Sequence, residues 1–275
     1  MRIKYLPGII VKNLLRILMA VLILFPLWFA VSSSFMDLSE LLQRPPQIFP
    51  SSFKLQYYQA ALRVAPLLRY LQNSFIMSAG IMLGQLILGS LAAFAFAFFS
   101  FKGKRFLFVA ILATMMIPGE SIIISNFMTI GDLRWYDTFM ALILPGTASA
   151  ISVFFMRQAF LSTPRELYEV SKIDGCTNFR FFLQILMPLS KAQLGALGIY
   201  AYLGAWNQYL WPLLVTNKNQ MRTVQIGIGM LKNSEFLEIN LVMAGVTIIL
   251  LPSILIFFIG QKQILSGAFS GSLKG

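Results

Sequence analysis

Histidine is absent from this 275-residue chain, and cysteine occurs once, at Cys176. Without imidazole there is no His-ligated metal site and no His-activated nucleophile, and a lone thiol closes no intrachain disulfide. Charge is scarce too. Only 12% of the residues are charged, where a soluble domain carries about a quarter. With 57% hydrophobic residues and a mean hydropathy of +0.75, there is too little polar surface to cover a globule, and the bilayer is the natural solvent. The net charge of +12 raises nucleic acid as a partner. Its distribution argues against that, because the basic residues are scattered among the short segments between apolar runs.

What the chain does have is six apolar runs near the length of about 20 residues that a membrane crossing needs. They cover residues 14–34, 73–99, 106–128, 138–160, 192–215 and 241–260. A lone strand in lipid would leave backbone groups unpaired, so the runs are expected to be helices, in one all-α transmembrane domain over 1–275. Pro26, Pro118, Pro145 and Pro252 fall inside runs and predict kinks. The first run follows basic Arg2, Lys4 and Lys12 but is long for a signal core and lacks a good cleavage site, which makes it an uncleaved span. With the N-terminus in the cytoplasm, 14 of the 22 Lys and Arg fall on the cytoplasmic side. That bias places both termini there.

The cytoplasmic segment 161–190 is too long for a simple connection and carries helix punctuation. Thr163 suits an N-cap, Pro164 the first helical position, and Glu166 completes a T-x-x-E capping box. Leu167, Val170 and Ile173 recur at helical spacing, with Glu166, Glu169 and Lys172 flanking them. Gly175 is placed to end that helix, Thr177 or Asn178 to cap a second short one, and Pro188 follows. Two readings stand: an amphipathic element lying on the membrane, or a docking knob for a soluble partner.

The run from Glu166-Leu-Tyr-Glu169 to Ile173-Asp174-Gly175-Cys176, continuing to Pro188-Leu189, resembles the EAA loop of permease subunits of binding-protein-dependent carbohydrate ABC importers, those of the maltose type above all. Val170 and Ser171 stand where that pattern has Ala-Ala, and Cys176 where it has Ala. Trp206-Asn207 through Trp211-Pro212 is similar to the family's W-N-x-x-x-W-P segment, and Gln261, Gly267 and Lys274-Gly275 to its C-terminal ending. The resemblance implies a permease in a bacterial inner membrane, with Glu166, Glu169, Asp174 and Gly175 coupling it to an ATPase. It also implies the partners: two cytoplasmic ATPase subunits, a second and commonly different permease, and an external solute-binding protein. Consistent with this, no G-x-x-x-x-G-K-[ST] phosphate loop is present. No cofactor is expected on this chain; ATP and Mg belong to the partner ATPase.

The substrate path is read from fewer signals. Glu120 is the only carboxylate well inside a run, where a charge is costly and often functional; it can also lie near enough to the surface to be solvated. Trp206, Asn207, Gln208, Tyr209 and Trp211 offer rings and amides to a polyhydroxylated ligand, although Trp and Tyr also gather at membrane interfaces. Tyr200, Gly204, Asn207 and Trp211 would share a stripe of one helix. The expected cargo is a sugar or oligosaccharide, with glycerol-3-phosphate or another polyol phosphate as the alternative. An ion-coupled secondary transporter is the rival from another class, with Glu120 as its one available acidic relay.

Overall fold

The computed structural model describes residues 6–45, 47–232 and 239–269. In chain order the helices are α1 (Leu6–Ser33), α2 (Leu38–Leu41), α3 (Gln56–Val64), α4 (Leu67–Phe98), α5 (Lys104–Ala113), α6 (Gly119–Asp132), α7 (Phe139–Thr147) and α8 (Ala150–Leu161). They continue as α9 (Arg165–Ile173), α10 (Asn178–Phe181), α11 (Met187–Leu189), α12 (Lys191–Trp206), α13 (Leu210–Val215), α14 (Val224–Lys232) and α15 (Ile239–Phe269). No strand occurs among the described residues. The all-α, apolar architecture expected for an integral membrane protein is therefore present.

The chain divides into two compact units, one of residues 1–67 and 227–253, the other of 68–226 and 254–275. In the first, α1 is apolar around its whole circumference beyond Arg16 and buries nothing over its central turns. A helix of that kind belongs in lipid or against other membrane helices. The segment after α1 is folded. Asp37 accepts hydrogen bonds from Lys54 and Tyr57, and Ser51 donates to Glu40. Lys54 and Tyr57 hold the Asp37 carboxyl below its usual range.

In the second unit α4 is the long strut. The C-terminal half of α4 and helices α8, α10 and α12 enclose one cluster, around Phe94, Phe98, Met156, Phe160, Phe181 and Leu197. Another joins Met77 and Ile81 of α4 to Ile130, Ala141, Leu142, Ala205 and Val215. Small residues let α4 approach its neighbours closely. A methyl group on Gly80 would lie 2.7 Å from Ile143, on Gly84 2.5 Å from Thr147, and on Gly89 2.8 Å from Ser152. Gly80-x-x-x-Gly84 is thus a small-residue contact of the type that packs membrane helices.

Three expected spans are broken rather than kinked. Residues 106–128 form two helices bent by 98°. Pro118 has no N–H to continue the first, and Ile117 before it is extended at φ −86°, ψ 118°. Residues 138–160 divide with a 47° bend after Thr147. There Ala148 is extended, and the Ser149 hydroxyl accepts the Ser152 N–H to start α8. Residues 192–215 stop at Trp206 and resume at Leu210, with Pro212 in the first turn of α13, where a missing N–H is harmless. Pro26 and Pro252, by contrast, lie within unbroken helices.

The α7–α8 break is held from α4. Gln85 donates to the Gly146 carbonyl at 2.9 Å and accepts the Ser152 hydroxyl at 2.9 Å, one bond on each side of the break. Gly84→Leu should push Thr147 away and disrupt this contact. It is expected to cost about 1–3 kcal/mol, read as a lower unfolding midpoint in detergent, whereas Gly204→Ala, which meets nothing within 4 Å, should leave the midpoint unchanged.

Candidate functional site: the 161–190 loop and the broken fifth span

Two helices around an Asp174-Gly175 turn form the loop, as the punctuation predicts, with a different start. Thr163 is not the N-cap. Its N–H closes the last turn of α8 on Phe160 at 3.1 Å, and Pro164 takes the cap position with ψ 133°, so α9 begins at Arg165. The T-x-x-E capping box is not used, because Thr163 is already committed to the preceding helix.

The other end of α9 follows the sequence closely. Gly175 has φ +73°, the left-handed region glycine enters at least cost. The Gly175 N–H donates to Lys172 at 3.1 Å and the Cys176 N–H to Ser171 at 2.9 Å. Together they make the Schellman pair that closes a helix. Thr177 then caps α10, accepting the Arg180 N–H at 3.3 Å. Pro188 does not end the run. A π-turn over Phe182–Leu186 precedes α11, which accommodates the hydrogen bond that Pro188 cannot donate. The chain bends by 81° at Ser190 before α12.

The faces of α9 matter most. Tyr168 and Ser171 point inward. The Tyr168 ring packs on Phe181 at 4.9 Å and on Phe98 at 5.1 Å. Burial raises the Tyr168 phenol above its usual range, and the hydroxyl donates to Asn178 at 2.8 Å. Leu167, Val170 and Ile173 are all exposed, Ile173 to 84%. Glu166, Glu169 and Asp174 are exposed beside them, with Glu169 3.6 Å from Arg165. The apolar stripe therefore faces away from the chain, while aromatic packing fixes the opposite face to α4 and α10. Tyr168, Phe98 and Phe181 thus connect α9 to the bundle by direct ring contacts.

The tentative path residues are only partly brought together. Trp206 is buried and stacks on Tyr202 at 5.9 Å; its carbonyl accepts from Gln225 at 3.4 Å. Trp211 donates its indole N–H to the Ala141 carbonyl at 3.0 Å. Both are thereby occupied in packing. Asn207 ends α12 and bonds back to Leu203 at 3.0 Å, and Gln208 lies in the following turn. Trp211 sits on a separate helix, so it does not continue the stripe of Tyr200, Gly204 and Asn207, three exposed positions on α12. Tyr200 also lines an apolar pocket of about 300 Å³ with Ile151, Phe155 and Leu197. Glu120 is exposed in the first turn of α6, immediately after the 98° bend. The side of α6 that packs near Trp211 is at Phe127 and Ile130, about two to three turns further on.

Reasoning from the sequence alone misses the clamps on the segment that follows. Asn73, fully buried on α4, donates to the carbonyls of Gln220 and Arg222 at 2.8 Å each, and Ser74 accepts the Val224 N–H at 2.9 Å. Asp137, left-handed at φ +59°, accepts the N–H groups of Asn217 and Lys218 at 2.7 and 2.8 Å. The available signal was polar residues at the edges of apolar runs.

The described residues thus form an apolar helical unit with broken spans and a seated loop that presents an apolar stripe outward. The chain belongs to the family of binding-protein-dependent transport system inner membrane components, whose pattern matches residues 85–267. It is a permease subunit of an ATP-driven ABC importer. The sn-glycerol-3-phosphate transport system permease protein UgpE of Brucella melitensis biotype 1 is 34% identical over 267 residues, 94% of this chain and 95% of that protein. Its namesake in Escherichia coli O1:K1 is 35% identical over 266 residues, with the same coverage of both chains. Among solved structures, a bacterial ABC transporter involved in the import of the acidic polysaccharide alginate has the same fold, with a TM-score of 0.80 over 95% of this chain and 98% of that one, at 19% identity.

The packing makes a direct prediction. Phe181→Ala removes the ring beneath Tyr168 and should destabilise the loop by about 3–5 kcal/mol. Limited trypsin digestion should then cut faster at Arg165 and Lys172, whereas Ile173→Ser, on the outer face, should leave the cutting rate unchanged.

Proposed function

We propose that α9 is the coupling helix of this permease, with Glu166, Glu169, Asp174 and Gly175 at its ATPase contact, and that the chain forms half of a translocation path in a bacterial inner membrane. The observation that carries this is the outward apolar stripe of Leu167, Val170 and Ile173 on a helix whose inner face is already packed. An exposed stripe of this kind requires cover, and a groove on a soluble subunit provides it. The reading includes six crossings with both termini in the cytoplasm, two ATPase subunits that use ATP and Mg, a second permease and an external binding protein. The chain itself binds no cofactor on this reading. The reading also gives the C-terminal tail, Gln261 to Gly275, a contact with the ATPase; residues 270–275 of it lie outside the described residues.

For the cargo, the reading is a small polyhydroxylated solute. The exposed α12 face of Tyr200, Gly204 and Asn207 supports a path lining, with Glu120, Gln208 and the more occupied Trp206 and Trp211 near its outer part. The names of the similar permeases favour a polyol phosphate such as sn-glycerol 3-phosphate over an oligosaccharide.

Two variants test the coupling assignment. Gly175→Pro breaks the Schellman turn and Ile173→Lys charges the stripe. Both should insert in the membrane normally yet lose a co-purifying ATPase and at least tenfold of uptake, about 1.4 kcal/mol of coupling. Full ATPase recovery and uptake in both would refute it. Uptake of labelled glycerol 3-phosphate against labelled maltose, by the whole importer, decides between the two cargo classes.

A further inference from the structure

The turn between α4 and α5 gathers cations that the coupling function does not use. Lys102 lies in it, Lys104 and Arg105 open α5, and Arg157 of α8 lies near Lys104. The Arg157 guanidinium lies 4.2 Å from the centre of the Phe108 ring and donates to the Phe96 carbonyl at 3.2 Å. Phe96 in turn packs on Phe101 and Phe108, at 5.8 and 5.4 Å. The Lys104 ammonium donates to the Phe99 carbonyl at 2.7 Å, one of the three bonds it can make. It also lies within the field of Arg157 and Arg165. Among the described residues no carboxylate comes within 4.0 Å of Lys102, Lys104, Arg105 or Arg157; Arg165 alone has one. Among the described residues, these four cations thus have no carboxylate within ion-pair distance.

Beside them runs an open groove of about 670 Å³, lined by Phe101, Gly103, Lys104, Arg105, Phe106 and Val109. Its lining is mixed: Lys104 and Arg105 supply cations, and Phe106 and Val109, 75% and 55% exposed on the first turns of an apolar helix, supply hydrocarbon. A soluble anion would match the cations only. A molecule that carries both a phosphate and hydrocarbon matches both kinds of lining.

We infer that this groove is a binding site for an anionic phospholipid, its phosphate between Lys104 and Arg105 and within reach of Lys102 and Arg157, its acyl chain along Phe106 and Val109. Basic pockets beside membrane helices hold acidic headgroups, and lysine and arginine give phosphate short, charge-assisted hydrogen bonds. The groove is at the same end of the unit as α9, since Phe98, at the end of α4, packs on Tyr168. A bound lipid would neutralise the turn that follows the end of α4, against which Tyr168 packs.

The test is lipid retention by the importer complex, purified in mild detergent and moved into nanodiscs of phosphatidylcholine with or without phosphatidylglycerol, then weighed by native mass spectrometry. Wild type should keep phosphatidylglycerol over phosphatidylcholine by on the order of tenfold. Lys104→Gln/Arg105→Gln should abolish that preference, and Lys218→Gln should keep it. Should the double variant fail to fold, Arg105→Gln alone, whose exposed side chain caps no helix, should still weaken the preference several-fold. Equal retention of both lipids by wild type, or a preference that survives the substitutions, overturns the site. Displacement of the lipid by excess inorganic phosphate would assign the cations to a soluble anion and also overturn it. A benzophenone amino acid placed at Phe106 should cross-link to lipid; cross-linking to a co-purifying subunit would instead give the groove to a protein partner.

Discussion

Where a helix breaks in an apolar environment, the backbone groups it frees must find partners within the protein, and this constraint organises the larger unit. Each N–H or C=O left unmet away from water costs several kcal/mol. One of the three breaks, that between α7 and α8, is met from α4, and the same helix holds the connection between α13 and α14. Gln85 of α4 spans the α7–α8 interruption, Asn73 takes two carbonyls of the 218–224 turn, and Ser74 takes the N–H that opens α14. Asp137 and the Trp211 indole complete the set from outside α4. The close approach that these short bonds need is supplied by Gly80, Gly84 and Gly89. Polar clamps and small residues on α4 are therefore one device.

The same helix carries the functional connection. At its far end Phe94 and Phe98 enter the aromatic cluster with Phe181, Phe182 and Tyr168. Aromatic pairs of this geometry contribute about 0.5–1.5 kcal/mol each beyond the area they bury. Close-packed interiors transmit displacement instead of absorbing it. On the proposed coupling role, a push on the exposed stripe of α9 would reach α4 through these rings. Tyr168 and Ser171 form the inner face, which leaves the outer stripe uncovered by the described residues.

Much of this was legible in the residues, for definite reasons. The helices α1, α4 and α15 follow from long apolar runs. Gly175 and Thr177 announced the turn and the second helix because each acts through a local backbone requirement. The breaks were not legible as breaks, because hydropathy averages over windows in which Pro118 or Asn207 counts for one residue among twenty. Thr163 misled because a capping pattern does not tell whether its first residue is already closing the helix before. The stripe of Leu167, Val170 and Ile173 was visible, but periodicity identifies a face and not the direction it points. Gly80-x-x-x-Gly84 was present as a pattern; its partners, Ile143 and Thr147, lie some 60 residues away and had no local signal.

The direct test of α4 as the clamp is amide hydrogen exchange on Asn73→Leu, compared with wild type in the same detergent. Loss of the two Asn73 bonds should speed exchange across residues 217–224, while the amides of α9 keep their wild-type rates. Unchanged protection over 217–224, or faster exchange spread evenly through the chain, would contradict the claim that side chains of α4 hold the connection between α13 and α14 in place.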